Sequence, residues 1–289
     1  MKIFVTGASG WIGTGVVREL LANGHEVLGL ARSGASADRV AASGAEVLRG
    51  DLDDLGSLKE GAAAADGVVH LGYNHDFSRM EAAAQTDLAA ITAMGEVTDG
   101  GAPFLIASGV AGLSNDGPAT EQTVADPASH PRVANARATL DLAERGVRSM
   151  VVRFAPTVHG EGDHGFVAAL VDIARKVGVS GWINEGRWPA VHRDDAAVLV
   201  RLAVEQAGPG SVLHAVAEEG VPTRLIAEAI GRGLGVPVEQ RPAEHFGWLG
   251  RFFGMDAPAS SELTRRRYGW TPVRAGLIAD LDEGHYFAG

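Results

Sequence analysis

Short apolar runs alternate with longer amphipathic or alanine-rich stretches along the first half of the chain. The runs are continuously apolar, which is typical of parallel strands covered on both faces. They predict six strands, at Lys2–Thr6, Glu26–Ala31, Ala45–Gly50, Gly67–Leu71, Ala102–Ala107 and Val147–Arg153. The stretches between them predict five helices, at Gly10–Asn23, Ala35–Ser43, Asp54–Ala65, Arg79–Thr98 and Arg132–Arg145. This regular alternation predicts an α/β fold with a doubly wound parallel sheet.

The pattern changes after Phe154, where the predicted elements shorten and glycine, proline, tryptophan and histidine become frequent. A helix at Asp194–Glu205 and a strand at Ser211–Ala217 are predicted to return to the sheet. Further segments predict a small, mostly helical C-terminal lobe, at Pro222–Leu234, Ala243–Phe253, Ser260–Tyr268 and Leu277–Phe287. We therefore expect a sheet domain over residues 1–155 and a substrate lobe over residues 156–289, of which about 187–217 packs on the sheet.

The first predicted strand runs into a glycine-rich turn that opens the first predicted helix, with glycines at Gly7, Gly10 and Gly13. Gly7 permits a tight turn, and Gly13 lets the helix pack closely on the strand. Gly10 allows backbone N–H groups to approach a pyrophosphate at the helix N-terminus, where the helix dipole favours negative charge. This strand–turn–helix context predicts a Rossmann-type dinucleotide site, with a merely structural turn as the alternative.

The end of the second predicted strand indicates which nucleotide is bound. An NAD site normally places a carboxylate there to bind the ribose 2′-hydroxyl, but this strand ends Ala31-Arg32-Ser33. Arg32 can pair with a 2′-phosphate and Ser33 can add a hydrogen bond, so NADP is favoured and NAD stays possible. The alternative is that Arg32 is a solvated loop residue. Asp51, after the third strand, either meets the adenine amino group or caps the next helix.

The sequence Thr6-Gly7-x-x-Gly10-x-x-Gly13, followed by Arg32-Ser33, resembles the extended, atypical short-chain dehydrogenases/reductases, also called the NAD-dependent epimerase/dehydratase family. Val69–Gly72 resembles the fourth-strand segment beside the cofactor in that family. Val152–Gly160 resembles its sixth-strand motif, and Trp188–Asp195 the segment that ends in paired aspartates before a helix. The resemblance implies these cofactor-binding residues: Gly7, Ser9, Gly10, Trp11, Ile12, Gly13, Arg32, Ser33, Asp51, Leu52, Leu71, Gly72, Tyr73, Ser108, Arg132, Ala155, Pro156 and Val158.

The resemblance also implies a catalytic Ser or Thr after the fifth strand and Tyr-x-x-x-Lys on the next helix, where the tyrosine transfers the proton. Here that segment reads His130-Pro131-Arg132-Val133-Ala134-Asn135-Ala136-Arg137, without tyrosine or lysine. The three tyrosines of the chain are Tyr73, Tyr268 and Tyr286. The motif is absent, so a reaction would need a non-standard proton donor.

The candidate catalytic residues are Ser108, Tyr73 and His159. Ser108 either donates to a substrate carbonyl or bonds the cofactor or its own loop. Tyr73 follows the fourth strand at the sheet edge where ligands bind, and it either protonates a developing alkoxide or packs along the cofactor. His75 and Asp76 follow it as an imidazole with a carboxylate neighbour. Arg132 can take the place of the missing lysine at the ribose, but a guanidinium cannot donate a proton at neutral pH.

A second polar cluster follows the sixth strand, where His159 and His164 alternate with Glu161 and Asp163. Histidine with carboxylate suits a metal, but the intervening glycines favour a rim loop, and we expect no metal. His192 is expected to cap the helix that begins near Asp194. The aromatic residues that either line the substrate side or pack in the core are Trp182, Trp188, Trp248 and Phe246.

Composition narrows the functional classes. The 289 residues carry a net charge of −11, which repels phosphate backbones and argues against nucleic acid, and Arg265–Arg267 is expected to be a solvated helix face. Without cysteine, disulfides and thiolate metal sites are excluded, which suits a reducing cytoplasm. The first strand begins at Lys2, leaving no room for a signal peptide, and no apolar stretch approaches the roughly 20 residues that span a bilayer.

The sequence predicts a cytoplasmic NADP(H)-dependent oxidoreductase that acts on a small carbonyl, alcohol or activated alkene. Two alternatives stay open: a nucleotide-sugar epimerase or dehydratase, and a non-catalytic NADP-binding sensor or regulatory protein. The expected partner is a small-molecule substrate. The alanine-rich helix at Arg79–Thr98 suits either a homodimer interface or a monomer in which it covers its own sheet.

Overall fold

The fold was analysed in a computed structural model that describes residues 1–74, 79–113, 117–128 and 131–288. Its strands are β1 (Lys2–Thr6), β2 (Glu26–Ala31), β3 (Glu46–Arg49), β4 (Gly67–His70), β5 (Pro103–Gly109), β6 (Arg148–Phe154), β7 (Thr157–His159), β8 (Ser180–Trp182), β9 (Arg187–His192), β10 (Ser211–Ala215), β11 (Glu218–Pro222) and β12 (Val238–Gln240). Its helices are α1 (Trp11–Ala22), α2 (Gly34–Ala42), α3 (Leu55–Ala63), α4 (Met80–Val97), α5 (Pro131–Asp141), α6 (Phe166–Val177), α7 (Arg193–Gln206), α8 (Thr223–Leu234), α9 (Gly250–Phe253), α10 (Glu262–Tyr268) and α11 (Leu277–Asp282). Short 3₁₀ helices occupy Leu142–Arg145 and Ala243–Leu249.

The chain forms two compact units. The first unit contains Met1–Ser108, Val124–Arg153 and Ala197–Leu213. The second contains Gly109–Thr123, Phe154–Ala196 and His214–Gly289. Ala197–Leu213 lies within the segment that was expected to return to the sheet, whereas the place of Gly109–Thr123 in the second unit was not anticipated from the sequence.

The central sheet has seven strands in the order β10-β6-β5-β4-β1-β2-β3. β1 pairs in parallel with β2 on one side and β4 on the other, with Val5 opposite Gly29 and Val69. The strand order reverses beside β1, because the chain first builds outward through β2 and β3 and then returns to β4. Ligands of doubly wound sheets bind at such a switch point, outside the carboxyl ends of the strands. The predicted fold class, a doubly wound parallel sheet, is confirmed.

Burial explains why the strands of the first unit have continuously apolar sequences. Ile3, Phe4 and Val5 of β1 are all fully buried, so both faces of the strand are covered. Phe4 packs in one cluster with Leu58 of α3 and Ile91 of α4. The predicted strands and helices of this half are present, with ends that differ by one or two residues, and the last turns of the fifth helix are 3₁₀.

Alanine-rich α4 packs against α3 and α5 within the first unit. It buries Ala83, Ala84 and Ala90 among other residues and leaves Leu88 partly exposed. The small residues therefore serve close packing inside the unit, and the homodimer stays a prediction.

The second unit is built around two small sheets and the helices that cover them. Its sheets have the strand orders β11-β9-β7 and β12-β8. Its apolar core includes Leu170 of α6, Ile226 of α8, Trp188 and Phe253. The sequence predicted the later helices of this unit but missed α6 and all the strands of the two small sheets. β7, β8 and β12 have three residues each, which is too short to show a period, whereas α6, β9 and β11 are longer and were simply not predicted. The helix predicted over Ala243–Phe253 is interrupted at Gly247, whose φ is 54°.

Several side chains of the second unit have the roles expected of them, and others differ. His192 caps α7, because its Nδ1 accepts a hydrogen bond from Asp194 N at 3.1 Å. Trp188 and Phe246 are core residues, whereas Trp248 is half exposed and lies against Phe166. Arg265 is not simply solvated, because its guanidinium donates to the carbonyl oxygen of Ala217 at 2.7 Å. No helix in the described part of the chain has the length and apolar character needed to cross a bilayer.

The packing of α3 on β1 gives a test of the fold. A Cβ atom on Gly61 would lie 2.4 Å from ring atoms of Phe4. We expect Gly61→Ala to lower the free energy of unfolding by about 1–3 kcal/mol, because overpacking outweighs the better helix propensity of alanine. The control is Gly34→Ala at the start of α2, where a Cβ would meet nothing within 4 Å and the change should stay within about 0.5 kcal/mol. Urea denaturation followed by circular dichroism measures both, and equal midpoints would contradict this packing.

Candidate functional site

The glycine-rich turn lies against the residues that follow β4. Gly7 has a φ of 66°, and a Cβ atom on it would lie 2.7 Å from Gly72 N. A Cβ on Gly13 would lie 2.0 Å from the carbonyl oxygen of Gly7, and the N–H of Gly10 donates to that same oxygen at 2.9 Å. Backbone therefore packs on backbone here, and side chains at Gly7 or Gly13 would push the turn, α1 and β4 apart.

The N-terminus of α1 is suited to an anion. Its N-cap residue is Gly10, which offers no side chain to cap the helix, and no acidic residue lies in the first turn. The first backbone N–H groups of a helix have no partners within the helix, and the dipole adds partial positive charge there. A diphosphate is a fitting acceptor for such groups.

Arg32 lies at the end of β2 with its side chain 81% exposed, and its Nε is 3.7 Å from Asp51 Oδ2. A second guanidinium, that of Arg49, donates to the carbonyl oxygens of Ser33 at 2.7 Å and Arg32 at 3.1 Å. Two positive charges thus share the loop where a 2′-phosphate was predicted to bind. The sequence analysis missed Arg49, although its position at the end of β3, paired with Ala31 of β2, could have indicated it.

Ser33 has a second role that the sequence analysis did not predict. It is the N-cap of α2, where its Oγ accepts from Ser36 N at 3.1 Å and its own N–H donates to Ser36 Oγ at 2.9 Å. This reciprocal pair is a capping box. The cap fixes the backbone directly after Arg32, where α2 begins. The first turn of α2 contains no acidic residue.

Asp51 does not cap the helix that follows it. The N-cap of α3 is Asp54, whose carboxylate accepts from Ser57 N at 3.2 Å. Asp51 instead accepts from the N–H of Asp53 at 3.1 Å, so the alternative of a helix cap at Asp51 is corrected. Its neighbour Leu52 comes close to Gly72, since a Cβ built on Gly72 would lie 3.1 Å from Leu52 Cδ2.

Tyr73 and Arg132 form a stacked pair. The guanidinium carbon of Arg132 lies 4.2 Å from the centroid of the Tyr73 ring. Arg132 also donates to the carbonyl oxygen of Ala107 at 3.1 Å, next to Ser108. Burial raises the pKa of the Tyr73 phenol, the charge of Arg132 opposes that shift, and Asp87 adds to it. A phenol in these surroundings stays protonated at neutral pH, and a fixed cation is in contact with it.

The remaining predicted residues are placed as follows. Leu71, Gly72 and Ser108 are half-buried at the carboxyl ends of β4 and β5, in the first unit with the turn. Ala155, Pro156 and Val158 lie in the second unit, where the N–H of Ala155 bonds the carbonyl oxygen of Ala215 at 3.2 Å. His75 and Asp76, together with His130 of the quoted helix motif, lie outside the described residues.

His159 is fully buried, and its Nδ1 lies 2.9 Å from Asp280 Oδ2. The Asp280 carboxylate fixes the orientation of this imidazole, and a role of His159 as a proton donor stays a prediction. The nearby loop is also more ordered than a rim loop, because Tyr286 Oη donates to Asp163 Oδ2 at 3.0 Å and accepts from Gly160 N at 3.2 Å. Burial raises the pKa of Asp163, and the hydrogen bonds that its carboxylate accepts from Gly165 and Tyr286 oppose that shift.

Comparisons with known proteins identify the family. A model of the NAD-dependent epimerase/dehydratase family matches residues 3–213. An uncharacterised protein of Schizosaccharomyces pombe is 45% identical over 295 residues, which is 99% of this chain and 100% of that protein. A 4-hydroxy-2-methyl-3-oxo-4-farnesyl-3,4-dihydroquinoline-1-oxide ketoreductase of Stigmatella aurantiaca is 28% identical over 244 residues, which is 78% of this chain and 70% of that protein.

Solved structures show the same fold at low sequence identity. The dTDP-glucose 4,6-dehydratase DesIV of Streptomyces venezuelae, solved with NAD bound, is similar with a TM-score of 0.77 and 19% identity. The match covers 99% of this chain and 96% of the dehydratase. The family match covers most of the chain and agrees with the sheet order and the glycine-rich turn. The chain therefore belongs to the NAD-dependent epimerase/dehydratase family.

Proposed function

We propose that this protein is an NADP(H)-dependent oxidoreductase that acts on a small carbonyl, alcohol or activated alkene, with Tyr73 as its non-standard proton donor. The observation that carries the proposal is the contact between Tyr73 and Arg132. Tyr73 directly follows Gly72, the residue that packs on the glycine-rich turn. A dinucleotide bound at that turn and a phenol at the end of β4 would share one edge of the sheet.

The loop after β2 supports NADP rather than NAD. It presents Arg32 without a carboxylate in the position that binds a ribose 2′-hydroxyl, and Arg49 adds a second positive charge beside it. A guanidinium is a planar, permanently charged donor that matches phosphate oxygens. The opposing charge of Asp51, 3.7 Å from Arg32, is a single carboxylate that a phosphate can displace.

In the proposed reaction, the glycine-rich turn and Arg32 would hold NADPH, which would supply the hydride for the carbonyl carbon. Tyr73 donates its phenolic proton to the carbonyl oxygen, so that an alcohol forms and a phenolate remains. Arg132 stabilises this phenolate through its contact with the ring and so takes the electrostatic task of the missing lysine. Ser108 orients the carbonyl oxygen from the end of β5. Solvent then returns the proton to Tyr73.

The named relatives support a carbonyl substrate at the level of the reaction class. The similar protein of Stigmatella aurantiaca is named as a ketoreductase. Epimerisation or dehydration of a nucleotide sugar also fits the family, but helix α5 reads PRVANARATLD and carries neither tyrosine nor lysine. The same observation favours a second candidate, a non-catalytic NADP sensor, which would use the cofactor site without the phenol. We propose the cytoplasm as the location, in keeping with a chain that contains no cysteine.

Replacing Arg32 tests the nucleotide preference. We expect Arg32→Ala to weaken NADPH binding by about 10–100-fold, because a charge-assisted hydrogen bond contributes about 1.5–3 kcal/mol. NADH binding should change by less than about twofold, since NADH has no 2′-phosphate. Isothermal titration calorimetry measures both, with Arg39→Ala on α2 as a control that removes the same charge nearby. An equal loss for both nucleotides would refute phosphate recognition by Arg32.

Replacing Tyr73 separates the enzyme from the sensor. We expect Tyr73→Phe to lower kcat for NADPH-dependent carbonyl reduction by about 100-fold or more, the scale of a lost general acid. NADPH affinity should stay within about threefold, because the ring and its contact with Arg132 remain. Tyr268→Phe, in the second unit, is the matched control. A carbonyl panel would supply substrates, and full activity of Tyr73→Phe would exclude this proton donor.

The raised pKa of Tyr73 sets the expected pH dependence. Carbonyl reduction uses the protonated phenol, so its rate should not fall between about pH 7 and pH 9, below the ordinary tyrosine pKa of about 10. Alcohol oxidation needs the phenolate and should rise roughly tenfold per pH unit over the same range. Initial rates in both directions measure this. A reduction rate that falls through this range would assign the proton to another group.

A further inference from the structure

Four buried polar side chains form a continuous hydrogen-bonded network in the first unit, a set that the sequence analysis did not predict. Thr6 Oγ1 lies 2.7 Å from His70 Nδ1, and His70 Nε2 lies 3.0 Å from Asp87 Oδ1. The other oxygen of Asp87 accepts from the amide of Asn135 at 2.7 Å. The side chains of Thr6, His70, Asp87 and Asn135 belong to residues that are all less than a tenth exposed.

For a neutral His70 imidazole, the direction of each hydrogen bond in this network follows from its members. The Asp87 carboxylate only accepts, so His70 carries its proton on Nε2 and leaves a lone pair on Nδ1. Thr6 must then donate its hydroxyl proton to Nδ1, and its oxygen is left to accept. The N–H of Gly72 donates to that oxygen at 3.0 Å. The network therefore ends on the backbone of the residue that packs against the glycine-rich turn.

Each end of the network lies close in sequence to one member of the Tyr73–Arg132 pair. At one end, Gly72 directly precedes Tyr73 in the chain. At the other end, Asn135 lies on α5 one turn after Arg132, and its amide also bonds the carbonyl oxygen of Ala84 on α4 at 2.9 Å. β1, β4, α4 and α5 are thus joined by side-chain hydrogen bonds.

The stability of the fold alone does not explain a buried polar network of this kind. Burying a charged carboxylate and its partners costs desolvation energy that apolar side chains of similar shape would not incur. The residues that precede Thr6 and His70 in their strands, Phe4, Val5, Val68 and Val69, are buried apolar residues. Fixed hydrogen bonds instead specify one arrangement of the groups they hold.

We propose that His70 and Asp87 are positioning residues that, through Thr6, hold the N–H of Gly72 in place and thereby set the positions of Tyr73 and the glycine-rich turn. This inference rests on the proposed oxidoreductase function. Neither residue touches the substrate or cofactor. Asp87 selects the tautomer of His70, His70 orients the hydroxyl of Thr6, and that hydroxyl holds Gly72.

Paired substitutions in the full chain test the steps at Thr6 and His70. Thr6→Val removes the hydroxyl but keeps the shape, and Thr6→Ser restores it. His70→Gln retains a donor toward Asp87 but loses the acceptor for Thr6, whereas His70→Asn retains an acceptor toward Thr6. Ser149→Ala is the control, because it removes a different buried hydrogen bond of the same unit, to the carbonyl oxygen of Leu140.

We expect Thr6→Val and His70→Gln to lower kcat for carbonyl reduction by about 10–100-fold, with Thr6→Ser and His70→Asn within about threefold of the wild-type protein. The dissociation constant of NADPH should rise less than kcat falls. Ser149→Ala should lower the melting temperature but keep its kinetics. If Thr6→Val and His70→Gln likewise lose only melting temperature, the network is structural and the proposal is wrong.

Two further measurements need no cofactor and separate this inference from the proposed function. Nitrogen-15 NMR should show His70 protonated on Nε2 in the wild-type protein, and the Nδ1-protonated form would overturn the proposal. Hydrogen exchange at the Gly72 amide should accelerate at least about tenfold in Thr6→Val and His70→Gln but not in Ser149→Ala. If the wild-type protein binds neither nucleotide, the proposed function fails, and Gly72 exchange alone decides whether the network positions that residue.

Discussion

The close approach of Gly7 to Gly72 is the constraint on which the first unit depends. A Cβ on Gly7 would lie 2.7 Å from Gly72 N, so the turn after β1 and the residues after β4 pack backbone to backbone. This contact lets α1 begin directly after the turn, where its uncapped N-terminus is suited to a diphosphate. It also brings Tyr73 close to the turn, because Tyr73 directly follows Gly72 in the chain. The proposed nucleotide site and the proposed proton donor would therefore lie together at the carboxyl ends of β1 and β4.

In the proposed function, helix α5 keeps the family's architecture while the catalytic roles are moved to other residues. The helix has no tyrosine or lysine, yet Arg132 contacts a phenol that comes from the end of β4. Asn135, one turn later, holds Asp87 at the far end of the buried network. A cation and a positioning amide on the same helix would replace the missing pair, with the acid supplied by a different element. In this arrangement β4 would align the acid, Tyr73. Gly72, which lies between β4 and Tyr73, also packs on the glycine-rich turn.

Features that depend on neighbours in sequence could be predicted, and those that depend on neighbours in space could not. Continuous apolar runs such as Ile3–Val5 indicated a buried parallel sheet, and the glycine spacing indicated the turn. The roles of Arg49 and Asn135 depend on strand order and helix packing, because their partners lie 16 and 48 residues away. β7 and β8, at three residues each, offered no period to read. His159 was chosen for its chemistry, whereas its burial and its contact with Asp280, 121 residues along the chain, could not be predicted from its neighbours in sequence.

The weak ion pair between Arg32 and Asp51 would affect which pyridine nucleotide the protein binds in the cell. Exposed pairs of this kind contribute at most about 1 kcal/mol, so a phosphate can displace the carboxylate easily. A nucleotide without that phosphate would leave the pair intact and bury no unpaired charge. Discrimination between the two pyridine nucleotides would then be graded, and the relative abundance of the phosphorylated and unphosphorylated pools would decide which one occupies the protein.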